Sequence, residues 1–488
     1  MRIRARLHSI TVAALVLGTV AVAAAGAADA ATRPNVVFIL ADDLRPDALA
    51  FSGQPGVATP AIDALARRGA VFTRATCGYP ICHVSRSEMF TGRTLLERFG
   101  RPAAGGAGKF DPAWTLWAEH LRRAGWNTVY SGKWHVAGTP RAAGFAATAG
   151  LFSSGGAPAG VKATHPVTPT GRAVTGYTGW TFKNEHNEPQ PEFGVGLTPA
   201  TDRIIADHAV AAIQRQGPQP FFLQVNFTAP HDPLHWPEGH ANERDARDQR
   251  VPANFRPAPE FDTGNRDGRD ERVVPAPRTA DDVKRERAIY FSLVENLDRQ
   301  VGRILAALAA TGALERTIVI VSSDHGLALG SHGLMGKQNQ YEHTINVPLI
   351  LAGPGVPAGQ RFAGQCALRD LYPTICALTG LDTPASVEGR SLAPILRGQR
   401  DEVHDAIFGY FTDTQRMVRT PDGWKLIWYP AIGRYQLFEV GTDPEELRDR
   451  IAEPSQQPRV AQLKARLVAW QQQHGDPILA SAPKSPRP

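Results

Sequence analysis

The chain has 488 residues, 42% of them hydrophobic and 20% charged, with a formal net charge of +6, a balance that excludes a disordered or low-complexity protein. At this length a single core stops growing, so a large domain with a smaller one packed against it is expected. The mild basicity favours anionic substrates, but no dense Lys/Arg block marks a nucleic-acid binder. Four cysteines (Cys77, Cys82, Cys366, Cys376) are too few for a disulfide scaffold.

In chain order, residues 1–30 read as a signal peptide. Arg2, Arg4 and Arg6 precede an apolar run over 10–25, and Ala28-Asp29-Ala30 forms a small-x-small cleavage site. The run is short for a membrane span, so no stable membrane anchor is expected and the protein is read as exported, periplasmic or extracellular. Removing these residues lowers the net charge to +4.

Short apolar runs rich in β-branched residues, at 36–40, 127–131, 221–227, 317–322 and 347–351, predict buried parallel strands. Between them, Thr59-Pro60 opens a helix that Gly69 stops, and a longer helix is predicted over 281–310, ending at Gly312. The alternation predicts an α/β fold over residues 31–383, a large mostly parallel sheet flanked by helices. Stretches 105–109, 144–176 and 238–278 are rich in Gly, Pro or charge and read as surface loops. From about residue 384 the pattern changes to strand-like pieces at 406–411, 424–428 and 435–439 and a helix over 458–473. These predict a small C-terminal α+β domain over 384–479, then a disordered tail at 480–488.

In an open parallel sheet the ligand lies beyond the carboxyl ends of the strands. Four predicted strands run into reactive groups there: Asp42-Asp43, Lys133 with His135, His231, and Asp324-His325. Carboxylates from two strands can converge on one hard divalent cation, calcium or magnesium. Cys82 stands in Cys82-His83-Val84-Ser85-Arg86, just before a helical stretch ended by Gly92. A thiol at a helix N-terminus beside Arg has a lowered pKa and suits a nucleophile. The spacing equally allows a buried structural cysteine or a partner for Cys77, and that of Cys366 and Cys376 permits a disulfide without requiring one.

These blocks resemble the sulfatase family of the alkaline phosphatase superfamily. The residues that carry the resemblance are Asn35 through Asp42-Asp43, Thr59-Pro60-Ala61-Ile62-Asp63, Cys82 to Arg86 through Thr91-Gly92-Arg93, and Gly132-Lys133-Trp134-His135. Downstream, Pro230-His231-Asp232-Pro233, Ser323-Asp324-His325-Gly326, Gly336-Lys337 and Val347-Pro348 continue it. The Asp324-His325 pair is similar to the iduronate-2-sulfatase and choline-sulfatase branch.

The resemblance implies that Cys82 is oxidised by a formylglycine-generating enzyme to formylglycine, hydrated to a geminal diol. One hydroxyl, activated by the metal and oriented by Arg86, would attack sulfur; loss of the second hydroxyl's proton would then expel sulfate. It implies Asp42, Asp43, Asp324 and His325 with residue 82 as metal ligands, and Lys133, Lys337 and His231 as stabilisers of developing charge. His231 or Lys337 would protonate the leaving alkoxide, and His135 would deprotonate the diol. The expected substrate is a sulfated carbohydrate or other sulfate ester. Two rivals are a phosphodiesterase or phosphonate monoester hydrolase of the same superfamily and an inactive glycan-binding homologue. Val84 stands where the family signature usually has Pro, Trp126 replaces its usual Tyr or Val, and His325 is an unusual ligand for calcium.

Overall fold

The computed structural model describes residues 33–101, 109–174, 176–239 and 244–481. The signal-peptide reading and residues 482–488 of the predicted tail lie outside them. The remaining two residues of that tail belong to a short helix, Pro477–Ser481.

The main sheet has eleven strands: β1 (Asn35–Ala41), β2 (Ala70–Thr76), β3 (Asn127–Lys133), β4 (Ala147–Ser154), β5 (Trp180–Lys183), β6 (Pro189–Val195), β7 (Phe221–Asn226), β8 (Thr317–Ser323), β9 (Asn346–Ala352), β10 (Gln360–Phe362) and β11 (Cys366–Ala367). Their order is β10-β2-β9-β8-β1-β7-β3-β4-β5-β6, with β11 paired to β2. Strands β8, β1, β7, β3 and β4 run parallel, so the carboxyl ends of β1, β3, β7 and β8 share one edge, where the site is expected.

One predicted strand has the wrong direction. Residues 347–351 were expected among the parallel strands, but β9 is antiparallel to both β8 and β2. The link from β8 to β9 is long enough for a crossover but stays on the carboxyl edge of the sheet, where it supplies Asp324, His325 and Lys337 to the site, and its one helix is the four-residue Glu342–Ile345. A strand buried on both faces gives the same apolar run in either direction. The stretch 144–176, read as loop, contains β4, whose small residues conceal its pattern.

Alternation along β1 explains the sandwich. Val37, Ile39 and Ala41 join a cluster with Ile205 and Ala209 of one helix and Val294, Leu297, Val301 and Ile304 of another. Val36, Phe38 and Leu40 face the opposite cluster with Trp117, Leu371 and Ile375. Each fully buried Val, Leu, Ile or Phe contributes about 1.5–3 kcal/mol. The helices concerned are α1 (Pro60–Arg68), α2 (Cys82–Thr91), α3 (Thr201–Gln214), α4 (Ala280–Ala310), α5 (Leu371–Thr379) and α6 (Gln457–Gln473). Helix α4 starts where the Thr279–Asp282 capping box satisfies its first amides.

The smaller C-terminal sheet is an antiparallel meander, β12 (Ile407–Phe411), β13 (Gln415–Arg419), β14 (Trp424–Tyr429) and β15 (Arg434–Glu439). Helix α6 lays Leu463, Leu467 and Trp470 on it, the Trp470 ring stacking on Phe408 at 4.9 Å. Strand β13 escaped the pattern because Gln-Arg-Met-Val-Arg reads as exposed. Both arginines are in fact fully buried, Arg416 on Asp476 and Arg419 on Glu342. All four cysteines are free thiols, so Cys366 and Cys376 form no disulfide.

Candidate active site

Cys82 opens helix α2, with Ile81 at the cap position in extended backbone and no side chain capping the first amides. The partial positive charge of that helix end therefore falls on residue 82. Gly92, at φ 65°, ends the helix in a left-handed turn that a side chain would strain. Val84 is fully buried with Tyr79, Leu95, Leu96 and Phe99.

Asp42 and Asp43 follow β1, and Asp43 adopts φ 68°, a left-handed conformation uncommon outside glycine. Its carbonyl accepts from the Tyr290 hydroxyl of α4 at 2.8 Å, and the Leu44 amide donates to Ser323 at 3.0 Å. Lys133 ends β3 beside a bulge at Ser131/Gly132. A side chain on Gly132 would meet the Asn226 carbonyl at 2.1 Å, so glycine is required where β3 crosses close to β7. The turn after β7 is held by Asp202, which accepts from the Thr228 amide at 2.8 Å and the Ala229 amide at 3.3 Å. Burial pushes the Asp202 carboxyl up to about 6.

These elements bring all the predicted site residues except His135 into one network. The Cys82 thiol lies 3.2 Å from Asp42 Oδ1 and 3.3 Å from His325 Nε2. Arg86 donates from Nε to Asp324 at 2.9 Å and from Nη2 to Asp42 at 3.1 Å. Lys133 Nζ donates to Asp42 Oδ2. Lys337 Nζ grips both oxygens of Asp43 at 2.8 and 2.9 Å and donates to His231 Nε2 at 2.8 Å. His325 Nδ1 stands 3.0 Å from Asp43 Oδ1, which puts the imidazole between residue 82 and both acidic pairs.

The electrostatics follow from that crowding. Burial alone would raise the Asp42 carboxyl, but the charges of Lys133, Arg86 and Lys337 outweigh it and hold it well below its usual value. Burial likewise opposes charge on His325 and Lys337; Asp324 and the thiol lift His325, and Asp43 lifts Lys337, both well above their usual values. His231 is pushed the other way by burial and by Lys337. It accepts at Nε2 as a neutral imidazole while Nδ1 donates to the Asp232 carbonyl.

His135 stands apart. It is half-buried at the rim, its ring 5.6 Å from His83 and 5.3 Å from Trp180. Its Nδ1 has no partner, and burial followed by Lys133 keeps the imidazole neutral.

The donor set fits a hard divalent cation. Asp42, Cys82, Asp324 and His325 form one group, and Asp42, Asp43, Cys82 and His231 another, each offering ligand atoms within 4.8 Å of one another. Three fully buried carboxylates supply the oxygens such an ion needs.

Further residues join the site, and of these Asp232 stood in the Pro230-His231-Asp232-Pro233 block while Tyr177, Arg269 and Asp270 carried no signal in the sequence. Tyr177 donates its hydroxyl to Asp42 Oδ2 at 3.1 Å. Asp232 and Asp270 lie 3.6 and 3.9 Å from Lys337 and are bridged by Arg269. A Tyr beside a Gly-rich stretch and an Asp-Arg pair within a long loop have nothing to distinguish them until the fold gathers them.

The sulfatase family model matches residues 34–381, and a second, described as N-sulphoglucosamine sulphohydrolase, C-terminal, matches 330–473. The chain belongs to the sulfatase family. It is therefore a hydrolase of the alkaline phosphatase superfamily, with the resemblance to the choline-sulfatase branch and the α/β fold both upheld. An arylsulfatase of Clostridium perfringens is 27% identical over 89% of this chain and 94% of its own length. A choline-sulfatase of Rhizobium meliloti is 28% identical over 86% and 83%. Among solved structures, a 2-O GAG sulfatase matches with a TM-score of 0.70 at 23% identity over 92% and 94% of the two chains. A phosphonate monoester hydrolase of Agrobacterium radiobacter matches at 0.71, with 22% identity over 91% and 96%. At such identities the solved structures speak for the fold.

Proposed function

We propose that this sulfatase is exported and cleaves sulfate esters of carbohydrates with a nucleophile made from Cys82 by oxidation to formylglycine. The observation that carries the reading is the Cys82 thiol at a helix N-terminus, 3.2 Å from Asp42 and 3.3 Å from His325. Calcium, or alternatively magnesium, would be held by Asp42, Asp43, Asp324 and His325 with residue 82. Bound there, the cation supplies Lewis-acid polarisation, and formylglycine supplies a hydroxyl nucleophile that a thiol cannot.

The chain's own groups do the rest. Arg86 fixes Asp42 and Asp324 and orients residue 82. Lys133, Lys337 and His231 place positive charge and hydrogen bonds where negative charge builds on the sulfuryl oxygens. His231 and Lys337 share a hydrogen bond, so one can hand a proton to the leaving alkoxide and be restored by the other. His135, neutral and unpartnered at Nδ1, is the base at the rim.

Glycan substrates are supported by the relatives' names, among them a Δ4,5-hexuronate-2-O-sulfatase of Bacteroides thetaiotaomicron 26% identical over 90% of this chain and 89% of its own. The leader-like first thirty residues support export. Among the described residues no helix is long and apolar enough to cross a membrane.

The decisive test is the mass of the tryptic peptide spanning residues 75–86 from protein made with a formylglycine-generating enzyme. An aldehyde in place of the Cys82 thiol is expected; an intact thiol would overturn the mechanism and favour an inactive binding protein. Matched sulfate and phosphonate esters then separate this reading from a phosphonate hydrolase, with faster turnover expected on the sulfate.

A further inference from the structure

Tyr177 sits in the left-handed region at φ 56°, where a bulky side chain is strained, and it is 7% exposed. Such a conformation persists only when its surroundings over-determine it, and here they do. Its neighbour Gly176 is closely packed, since a Cβ there would lie 3.0 Å from Arg269 Nη1 and 3.2 Å from both the Asp232 carbonyl and Pro233, so those groups would have to give way slightly. The Tyr177 ring is walled by Trp180 at 4.9 Å, Phe152 at 5.9 Å and the edge of His231 at 4.7 Å.

What this strained turn delivers is a single side chain with two contacts in the charged network. The hydroxyl donates to Asp42 Oδ2 at 3.1 Å, and the ring face lies under the Lys133 ammonium at 4.8 Å. Asp42 Oδ2 also receives Arg86 and Lys133. The phenol therefore completes the donors that leave Asp42 Oδ1 facing residue 82. The ring face holds the ammonium by attraction without adding a negative charge that would compete with the substrate's.

We infer that Tyr177 is a positioning residue for this sulfatase: its hydroxyl fixes the rotation of the Asp42 carboxylate for the cation, and its ring fixes Lys133 for the anionic ester. The inference rests on the metal-dependent reading above. The two contacts belong to different atoms, so they are separable by substitution. Loss of a hydrogen bond that orients a metal-binding carboxylate typically weakens the metal by about 10–100-fold. Loss of the ring acts on the anion site instead.

The test is calorimetric titration of calcium into the metal-stripped full chain, alongside kcat and KM on a sulfate ester. Tyr177→Phe is expected to weaken calcium about 10-fold while KM at saturating calcium stays at the wild-type value. Tyr177→Leu is expected to weaken calcium equally and in addition to raise KM several-fold. Melting temperatures in chelator identify any variant that has simply lost its fold; for such a variant, Tyr177→His, which keeps a ring and a donor, replaces it and is expected to recover part of the calcium affinity. Wild-type calcium affinity in a folded Tyr177→Phe protein would overturn the inference. If the wild-type protein itself binds no divalent cation, the proposed metal centre fails instead, and the two failures are distinct.

Discussion

Two clusters of buried charge in the molecule are built differently. At the carboxyl edge of the large sheet, Asp42, Asp43 and Asp324 crowd one point with a thiol and two imidazoles. Beneath the C-terminal sheet, Arg416 lies on Asp476 with bonds of 2.6 and 2.8 Å, and Glu342 binds Arg419 at 2.7 Å and Lys425 at 3.0 Å. In that seam cations and carboxylates alternate, and the charges close on themselves. In the site Asp42, Asp43 and Asp324 are also paired, by Arg86, Lys133 and Lys337, but they converge with a thiol and two imidazoles whose ligand atoms lie close together. Buried charge alone therefore does not mark a site; the convergence of carboxylate, thiol and imidazole groups on one point is what sets this one apart.

Substitutions sharpen the contrast. Cys82→Ala is expected to lower kcat by about 10^5 or more, as loss of a nucleophile does, with little change in Tm; retained turnover on a sulfate ester would break the distinction from one side. Arg416→Ala should act the opposite way, leaving the Asp476 carboxylate buried and unpaired. It is expected to cost about 3–5 kcal/mol in urea unfolding while kcat per folded molecule is unchanged. A large loss of kcat in folded protein would show the seam to be part of the site.

The smallest effect is a pH dependence in the seam. Burial, opposed by Lys425, pushes the Glu446 carboxyl up to about 7, while burial on Glu342 is overcome by Arg419 and Lys425, taking it down to about 2. A raised carboxyl binds its proton more tightly in the folded state, so the Glu446 contribution is present below its ordinary range and is lost as pH rises towards 7. The corresponding slope is on the order of 3 kcal/mol across that window. Glu342 has the opposite sign, and its contribution is lost only as pH falls towards 2. Glu446→Gln should flatten the decline in stability between pH 5 and 7, seen in Tm against pH; an unchanged slope would show that another group causes it.

The same contrast governs what could be read from the sequence. Strands β1, β3, β7 and β8 announced themselves because short runs rich in apolar and β-branched residues lead into Asp, Lys or His. That transition is also what exposed most of the candidate site. Strand β13 stayed hidden because its pairing partners Asp476 and Glu342 are remote in sequence, and without them Arg416 and Arg419 read as surface residues. Strand β4 is masked by Ala, Gly and Ser, and the direction of β9 is not encoded in its apolar run at all. Tyr177, Asp270 and Arg269 acquire their neighbours only through long-range folding, so local pattern says nothing of them.

Strand β1 is drawn from near the start of the described chain yet sits at the middle of the sheet, Val36 pairing with Phe222 on one side and Ile318 on the other. Pairing at such sequence separation is slow, because the loop must close before any contact rewards it. Asp42 and Asp43 can gain the β7 flank only once residue 226 has been made, and have both flanks only once residue 323 has. Cys82 is 2% exposed in the finished protein. The order of the strands thus sets a minimum length of chain, through residue 323, that must exist before the edge carrying Asp42 and Asp43 can be complete.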